Sequence, residues 1–399
     1  MLFPALRLMR AQMRLISDPL KLRKGAASVD ALGSLAADVR TEATLAGGIP
    51  ASWVHVQGVR HDCVVLYLHG GAFITKTPVF HGALLARICR ASRAHGLMLD
   101  YRLSPEHPYP AALDDCVAAY RWLLQQGHDA ARIIIAGDSA GGNLTLALLL
   151  RLRDEGLPLP AGAVALSPLT DFTFSGESVQ RNDGIDDMFS ADLMEGLVPV
   201  YLADTTLRTH PHVSPVFGNF AGLPPLLLLV GSTELLLDDS VRVAQRWPAA
   251  TLLVWDGMPH VFAGFDLLPE ALEATERMGR FVRACLVGAA GSAAAASAHL
   301  ESAEAATPAK GHDAQPGIAP SGHVPARMGV QAKLYLALAG LAGLLCLGVA
   351  VWGMGPLLLQ ASAAVWVSVL SLGTLWAVSL LMFLRSLPWV RTRVRKRRG

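Results

Sequence analysis

Cysteine, aromatic residues and charge are all sparse in this chain. Of its 399 residues five are cysteines, 7% are aromatic and 17% are charged. Cys63, Cys89, Cys116, Cys285 and Cys346 are odd in number, widely scattered and set in apolar surroundings, which excludes a disulfide framework and a cysteine metal site. They are expected as buried thiols of a reducing compartment. A secretory leader is not expected either, since its apolar core of about 7–15 residues would be broken by Arg7, Arg10 and Arg14. The net charge of +2 conceals a split. Nine of the 34 Lys/Arg and none of the 32 Asp/Glu fall from Arg327 onward, leaving the preceding part at −7. An acidic body without a basic, aromatic-laced stripe gives no reason to expect a nucleic-acid partner.

What is present begins with an amphipathic helix. Phe3, Leu6, Met9, Met13 and Ile16 recur at helical spacing with arginines on another face, as for a helix that packs on the body or lids a pocket; a membrane-surface helix is the alternative. From Trp53 the pattern becomes strand-like. Short apolar runs at Val64–Leu68, Leu97–Leu99, Arg132–Ala136, Ala163–Leu166, Leu226–Val230 and Leu252–Val254 alternate with helical sequence near 84–92, 112–125, 144–150 and 271–285. That alternation predicts an α/β fold: a mostly parallel sheet with right-handed crossovers. The stretch from about Thr170 to His212 is far longer than an ordinary connection of about 2–6 residues and is expected to be an insertion beside the active site, forming a cap with the N-terminal segment 1–50.

Between Val287 and Gly329 the composition turns to Ala, Ser, Gly, Pro and His, which cannot bury enough surface to fold and predicts a flexible linker. Leu334–Trp352 and Leu357–Leu384 then run 19 and 28 residues without a charge, near or above the about 20 needed to cross a bilayer. Joined by Gly353-Met354-Gly355-Pro356, they are expected to form a transmembrane hairpin. The six basic residues of Arg391–Arg398 would hold its end, and with two crossings the catalytic body, on the cytoplasmic side. The expected domains are a cap segment 1–50, a catalytic domain 51–286, a linker 287–332, a hairpin 333–385 and a basic tail 386–399.

Chemistry is concentrated at Gly137-Asp138-Ser139-Ala140-Gly141, between an apolar strand and an apolar helix. A serine on such a turn stands above the sheet edge, and glycines flank it because larger side chains would collide there. Ser139 is the candidate nucleophile. A neutral hydroxyl needs a base, and the base an orienting acid. Of the thirteen histidines, His260 alone sits in a turn just after a late strand; His55, His61, His107, His210 and His212 read as structural or surface groups. Glu234 stands immediately beyond the tip of Leu226–Val230 and is the preferred acid, with Asp238 one helical turn later as the alternative. Backbone N–H groups must also receive the oxyanion, and Gly70, Gly71 and Ala140 are the candidates, with His69 and Phe73 as neighbours of the substrate.

These motifs resemble the hormone-sensitive lipase-like branch of the α/β-hydrolases, the bacterial family IV esterases, over about Val64 to Val282. Tyr67-Leu68-His69-Gly70-Gly71-Ala72-Phe73 looks like the family's oxyanion motif. Tyr101 to Ala112 is close to its second signature, and Gly137 to Leu144 is similar to its nucleophile elbow. The resemblance implies an α/β-hydrolase fold with a helical cap and carboxylester hydrolysis through an acyl-enzyme, without metal or organic cofactor. Two positions depart from the family. Glu234-Leu235-Leu236 stands where Asp-Pro-Leu is usual, and Val261 follows the histidine where glycine is usual, which is expected to narrow the pocket. Short- to medium-chain esters are the expected substrates, a lactone the alternative, and a non-catalytic ligand-binding protein the alternative of another class. The linker and hairpin lie outside the resemblance.

Overall fold

A computed structural model describes residues 2–15, 18–59, 61 and 63–288. The expected linker, apart from Val287 and Gly288 at the end of the last helix, lies outside these residues, as do the two apolar segments and the basic tail. Among the described residues no helix is long and apolar enough to cross a membrane.

The elements in chain order are α1 (Leu2–Leu15), α2 (Pro19–Asp30), β1 (Val39–Ala46), β2 (Ile49–Val56), β3 (Cys63–Leu68), α3 (Pro78–Ser92), β4 (Ala94–Leu99), α4 (Ala111–Gln125), β5 (Ile133–Asp138), α5 (Ala140–Asp154), β6 (Gly162–Leu166), α6 (Glu177–Arg181), α7 (Ala191–Tyr201), β7 (Leu226–Gly231), α8 (Leu237–Arg246), β8 (Ala250–Trp255) and α9 (Pro269–Gly288). The eight strands form one sheet in the order β1-β2-β4-β3-β5-β6-β7-β8. β1 and β2 pair antiparallel, β2 meets β4 antiparallel, and every later pairing is parallel.

The parallel strands β3, β5, β6 and β7 are buried on both faces, so they read as continuous apolar runs, whereas the edge strand β8 is only half-buried. Side chains still alternate. Val64, Leu66 and Leu68 of β3, with Ile133 and Ile135 of β5, pack against α4 and α5. Val65 and Tyr67, with Ile134 and Ala136, pack against Leu84, Leu85 and Ile88 of α3 and Met278, Phe281 and Val282 of α9. The sheet is therefore sandwiched between two helical layers, and its strand ends are fixed in depth by both.

β1 lies inside the stretch expected to belong to the cap. Its side chains are mostly exposed and only Ala46 is buried, so it carries no apolar alternation; its pairing with β2 is what makes it a strand. The long connection after β6 does contain separate elements, α6 and α7. α1 docks there, with Arg7 Nε 2.5 Å from Asp187 Oδ1 and Arg10 donating to the Asp186 carbonyl at 2.7 Å.

Candidate active site

β5 ends at Asp138 and α5 begins at Ala140, leaving Ser139 alone in the bend with φ +54° and ψ −117°. Non-glycine residues rarely adopt such a conformation, and it persists only where surroundings over-determine it. Here the Ser139 N–H donates to the Leu166 carbonyl at 2.8 Å, and the Ser139 carbonyl accepts from Asn143 and Leu169. Gly141 is required by proximity, since a Cβ there would sit 1.9 Å from the Leu68 carbonyl oxygen. The Ser139 hydroxyl has no hydrogen-bond partner among the described residues.

His260 is buried in the turn after β8, 2% exposed. Its Nδ1 lies 2.8 Å from Glu234 Oε2, and Phe189 of the insertion stands edge-on to the ring at 4.8 Å between centroids. Nε2 has no hydrogen-bond partner among the described residues. Burial by itself lowers the imidazole pKa. The hydrogen bond and charge of Glu234, with the charges of Asp186 and Asp138, outweigh it and raise the value above the usual 6.5. A basic nitrogen is thus left without a partner among the described residues, with the other ring nitrogen tied to a carboxylate.

Glu234 is fully buried beyond the tip of β7. Its second oxygen, Oε1, accepts from Ser167 Oγ at 2.8 Å and from the Gly231 N–H at 2.5 Å. Ser167 in turn accepts from the Val261 N–H at 3.0 Å. One serine therefore joins the carboxylate loop to the histidine turn, while the adjacent Leu166 carbonyl holds Ser139. Val261, with φ +52°, is buried and sits in the left-handed region, which suits the glycine usual at this position in the resembling family. Asp238 is elsewhere. Its carboxylate accepts from the Ser178 N–H at 2.8 Å and lies 3.3 Å from Arg181, tying α8 to α6.

The oxyanion candidates divide. The Gly70 N–H donates to Asp138 Oδ1 at 3.0 Å and is not available to a substrate, which corrects its assignment. Those of Gly71, Ala72 and Ala140 have no acceptor among the described residues. Ala72 joins the set because Gly71, Ala72 and Phe73, with φ of +115°, +56° and +60°, curl the backbone in successive left-handed steps. His69 and Phe73 are both packed inside. His69 is 3% exposed and stacks on Tyr101 at 4.3 Å, with burial and the charge of His81 lowering its pKa to about 4. Phe73 stacks on Tyr201 of α7 at 3.7 Å, and Phe172 packs against both rings, 5.2 Å from Tyr201 and 6.1 Å from Phe73.

Sequence reasoning did not find Ser167, Asp186 or Phe189. Ser167 was within reach, because it follows the run Ala163–Leu166 as Glu234 follows its own strand tip. Asp186 gave no signal; it accepts from the Leu235, Met188 and Phe189 N–H groups and so pins the insertion against the Glu234 loop.

Comparison with known proteins agrees with this arrangement. A family profile described as alpha/beta hydrolase fold matches residues 65–264. An acetyl-hydrolase of Streptomyces hygroscopicus is 41% identical over 243 residues, covering 59% of this chain and 80% of that protein. An esterase of Acinetobacter venetianus is 38% identical over 223 residues, covering 55% and 74%. The crystal structure of an esterase from the bacterial hormone-sensitive lipase family superimposes with a TM-score of 0.67 at 39% identity, over 71% of this chain and 98% of that one. The chain belongs to the α/β-hydrolase family. Within it the branch is that of the hormone-sensitive lipase-like esterases, and the protein is a carboxylester hydrolase.

Proposed function

We propose that this esterase works through an acyl-enzyme formed on Ser139. His260 Nε2 takes the serine proton as Oγ attacks the ester carbonyl, and the N–H groups of Gly71, Ala72 and Ala140 receive the oxyanion. The protonated histidine, oriented and stabilised by Glu234, then gives the proton to the departing alcohol. Water repeats the sequence to release the acid. Every proton is thus returned. The observation that carries the reading is the buried Glu234–His260 hydrogen bond, which leaves Nε2 without a partner among the described residues, together with a partly exposed serine of positive φ at the head of α5. In unliganded enzymes the serine–histidine contact commonly closes only with substrate.

Short acyl groups are the preferred substrates in this reading. Support comes from the buried aromatic stack of Phe73, Tyr201 and Phe172 that begins one residue after Ala72, and from the similarity to an acetyl-hydrolase. Lactone hydrolysis would use the same groups. The test is hydrolysis of p-nitrophenyl acetate, butyrate and octanoate. Activity should fall with chain length and vanish in Ser139→Ala, whereas turnover surviving in that variant refutes the mechanism.

The same proposal places the enzyme at a membrane, its body facing the cytoplasm. Support lies in the two uncharged runs Leu334–Trp352 and Leu357–Leu384 and the basic end Arg391–Arg398. A cysteine introduced in the linker should resist impermeant reagents in intact cells. Labelling from outside would overturn the orientation, and release of the full chain by alkaline carbonate would overturn the anchoring.

A further inference from the structure

Beneath the turn from Gly70 to Phe73 lies a buried pair that takes no part in the proton transfers above. Asp138 precedes the nucleophile. Its Oδ1 accepts from the Tyr67 hydroxyl at 2.7 Å and from the Gly70 N–H at 3.0 Å, and its Oδ2 lies 3.3 Å from His81 Nε2. His81, on the first turn of α3, is buried as deeply as Asp138, with side chains 5% and 4% exposed. The other ring nitrogen, Nδ1, lies 2.9 Å from the Thr77 carbonyl oxygen. The Thr77 hydroxyl lies 3.0 Å from the same nitrogen and can donate or accept, whereas the carbonyl only accepts, so a proton on Nδ1 satisfies both oxygens; a nitrogen facing a carboxylate is a donor as well. This arrangement favours a proton on each nitrogen, which makes His81 an imidazolium paired with the Asp138 carboxylate.

The pair bears on backbone in an unfavourable conformation. The Gly70 main chain is pressed onto the carboxylate, for a Cβ at Gly70 would meet Asp138 Oδ2 at 2.2 Å. From that fixed point the chain runs through three positive-φ residues, two of them not glycine. Such a turn keeps its shape only while its anchor holds.

We propose that His81 is a positioning residue for the oxyanion site: its imidazolium holds the Asp138 carboxylate, and Asp138 holds the Gly70 N–H, which sets the direction of the Gly71 and Ala72 N–H groups. This rests on the reading of Ser139 as nucleophile and of those amides as its oxyanion donors. The groups facing His81 are Asp138 from β5, Tyr67 from β3, His69 from the turn after β3, Asp30 from the end of α2, and the Thr77 carbonyl. Burial lowers the His81 pKa, but the charge and hydrogen bond of Asp138, the Thr77 carbonyl and the charge of Asp30 raise it above 6.5 on balance. His69, held down at about 4, is neutral and does not compete for the carboxylate. His81 therefore keeps its proton to a higher pH than an ordinary imidazole does. It loses its proton as pH rises through its elevated pKa, and the clamp on Asp138 loosens then. The enzyme should show an alkaline limb in kcat that belongs to neither Ser139 nor His260.

The test is kcat and KM for p-nitrophenyl acetate between pH 5.5 and 10, in the wild-type full chain and in His81→Gln, whose neutral amide still donates to Asp138 but cannot titrate. Removal of an oxyanion donor costs about 10²- to 10³-fold in kcat, so a misdirected pair should cost about 10- to 100-fold with KM nearly unchanged. The alkaline limb should disappear in this variant. A limb that persists in folded His81→Gln, a loss carried by KM, or wild-type kcat would each overturn the proposal. If the variant does not fold, Tyr67→Phe decides: losing a donor to Asp138 makes the field at His81 more negative and should move the limb to higher pH, and an unmoved limb refutes the coupling. Ser139→Ala separates the two levels. Turnover in that variant sinks the underlying mechanism, whereas an inactive Ser139→Ala beside an unaffected His81→Gln sinks only the role of His81.

Discussion

Glu234→Gln tests the site more sharply than deletion would, because the surroundings of Glu234 dictate which way the new amide must point. Oε1 receives two donors, the Ser167 hydroxyl and the Gly231 N–H, so only the amide oxygen can occupy its place. Flipping the amide would set an NH₂ against both donors in a fully buried pocket. The NH₂ must therefore take the Oε2 position, 2.8 Å from His260 Nδ1. Facing a donor, Nδ1 has to accept, and the ring proton moves to Nε2. That nitrogen can then no longer take a proton from Ser139. In serine hydrolases the same carboxylate-to-amide change lowers kcat by about 10⁴-fold, or about 5.4 kcal/mol of transition-state stabilisation. The geometry is otherwise conserved, so KM should stay within a few-fold. Steady-state hydrolysis of p-nitrophenyl acetate, with thermal melting to establish folding, measures both. Asp238→Asn, measured alongside, should retain most activity, because Asp238 is bonded to Ser178 and Arg181. A folded Glu234→Gln enzyme within about tenfold of wild type, or a greater loss in Asp238→Asn, would refute the assignment.

Three further outcomes follow from the same contacts. Ser167→Ala leaves the buried Val261 N–H without an acceptor and Glu234 with one donor fewer, so denaturant unfolding should show a loss of about 1–3 kcal/mol, and an unchanged midpoint would contradict the bridging role. Gly231→Ala would place a Cβ 1.9 Å from the Met258 carbonyl oxygen, two residues before His260. The turn has to move, and both melting temperature and kcat should drop, the first by the equivalent of about 1–3 kcal/mol or more; an enzyme normal in both would show that the two strand ends are not in contact. Catalysis needs neutral His260, whose pKa is raised, so kcat should fall as pH drops through a value above 6.5, and in Glu234→Gln the remaining activity should have its acid limb displaced to lower pH. The stability contributed by the His260–Glu234 pair runs the other way: it is complete below pH 6.5 and is lost as pH rises through the folded-state pKa. A wild-type acid limb below pH 6.5 would contradict the predominance of Glu234 over burial.

Much of this architecture is legible in the chain because parallel strands buried on both faces are written as unbroken apolar runs. β3, β5, β6 and β7 all appear that way, and each is followed by a residue of the site or its support: the Gly70 turn, Ser139, Ser167 and Glu234. β1 is not legible, since an exposed edge strand made by pairing leaves no hydrophobic period. The preference for Glu234 over Asp238 rested on distance from a strand tip; the contacts of Asp238 are what remove it from the histidine. Gly70 shows the converse. As a bare glycine in the motif it looked equivalent to Gly71, and only the fold brings Asp138, 68 residues away in the chain, to claim its N–H.

The sequence by itself determined the order of the buried strands and the helices that connect them, the bent serine between glycines and the histidine after the last strand, because these depend on local sterics and on hydrophobic period. Tertiary structure alone decided which amides remain free, which carboxylate meets His260, and that Ser167, Asp138 and His81 hold the site in shape. Those are hydrogen bonds between chain segments 26 to 94 residues apart, directed by the side-by-side ends of parallel strands, and nothing in a local pattern of residues encodes them.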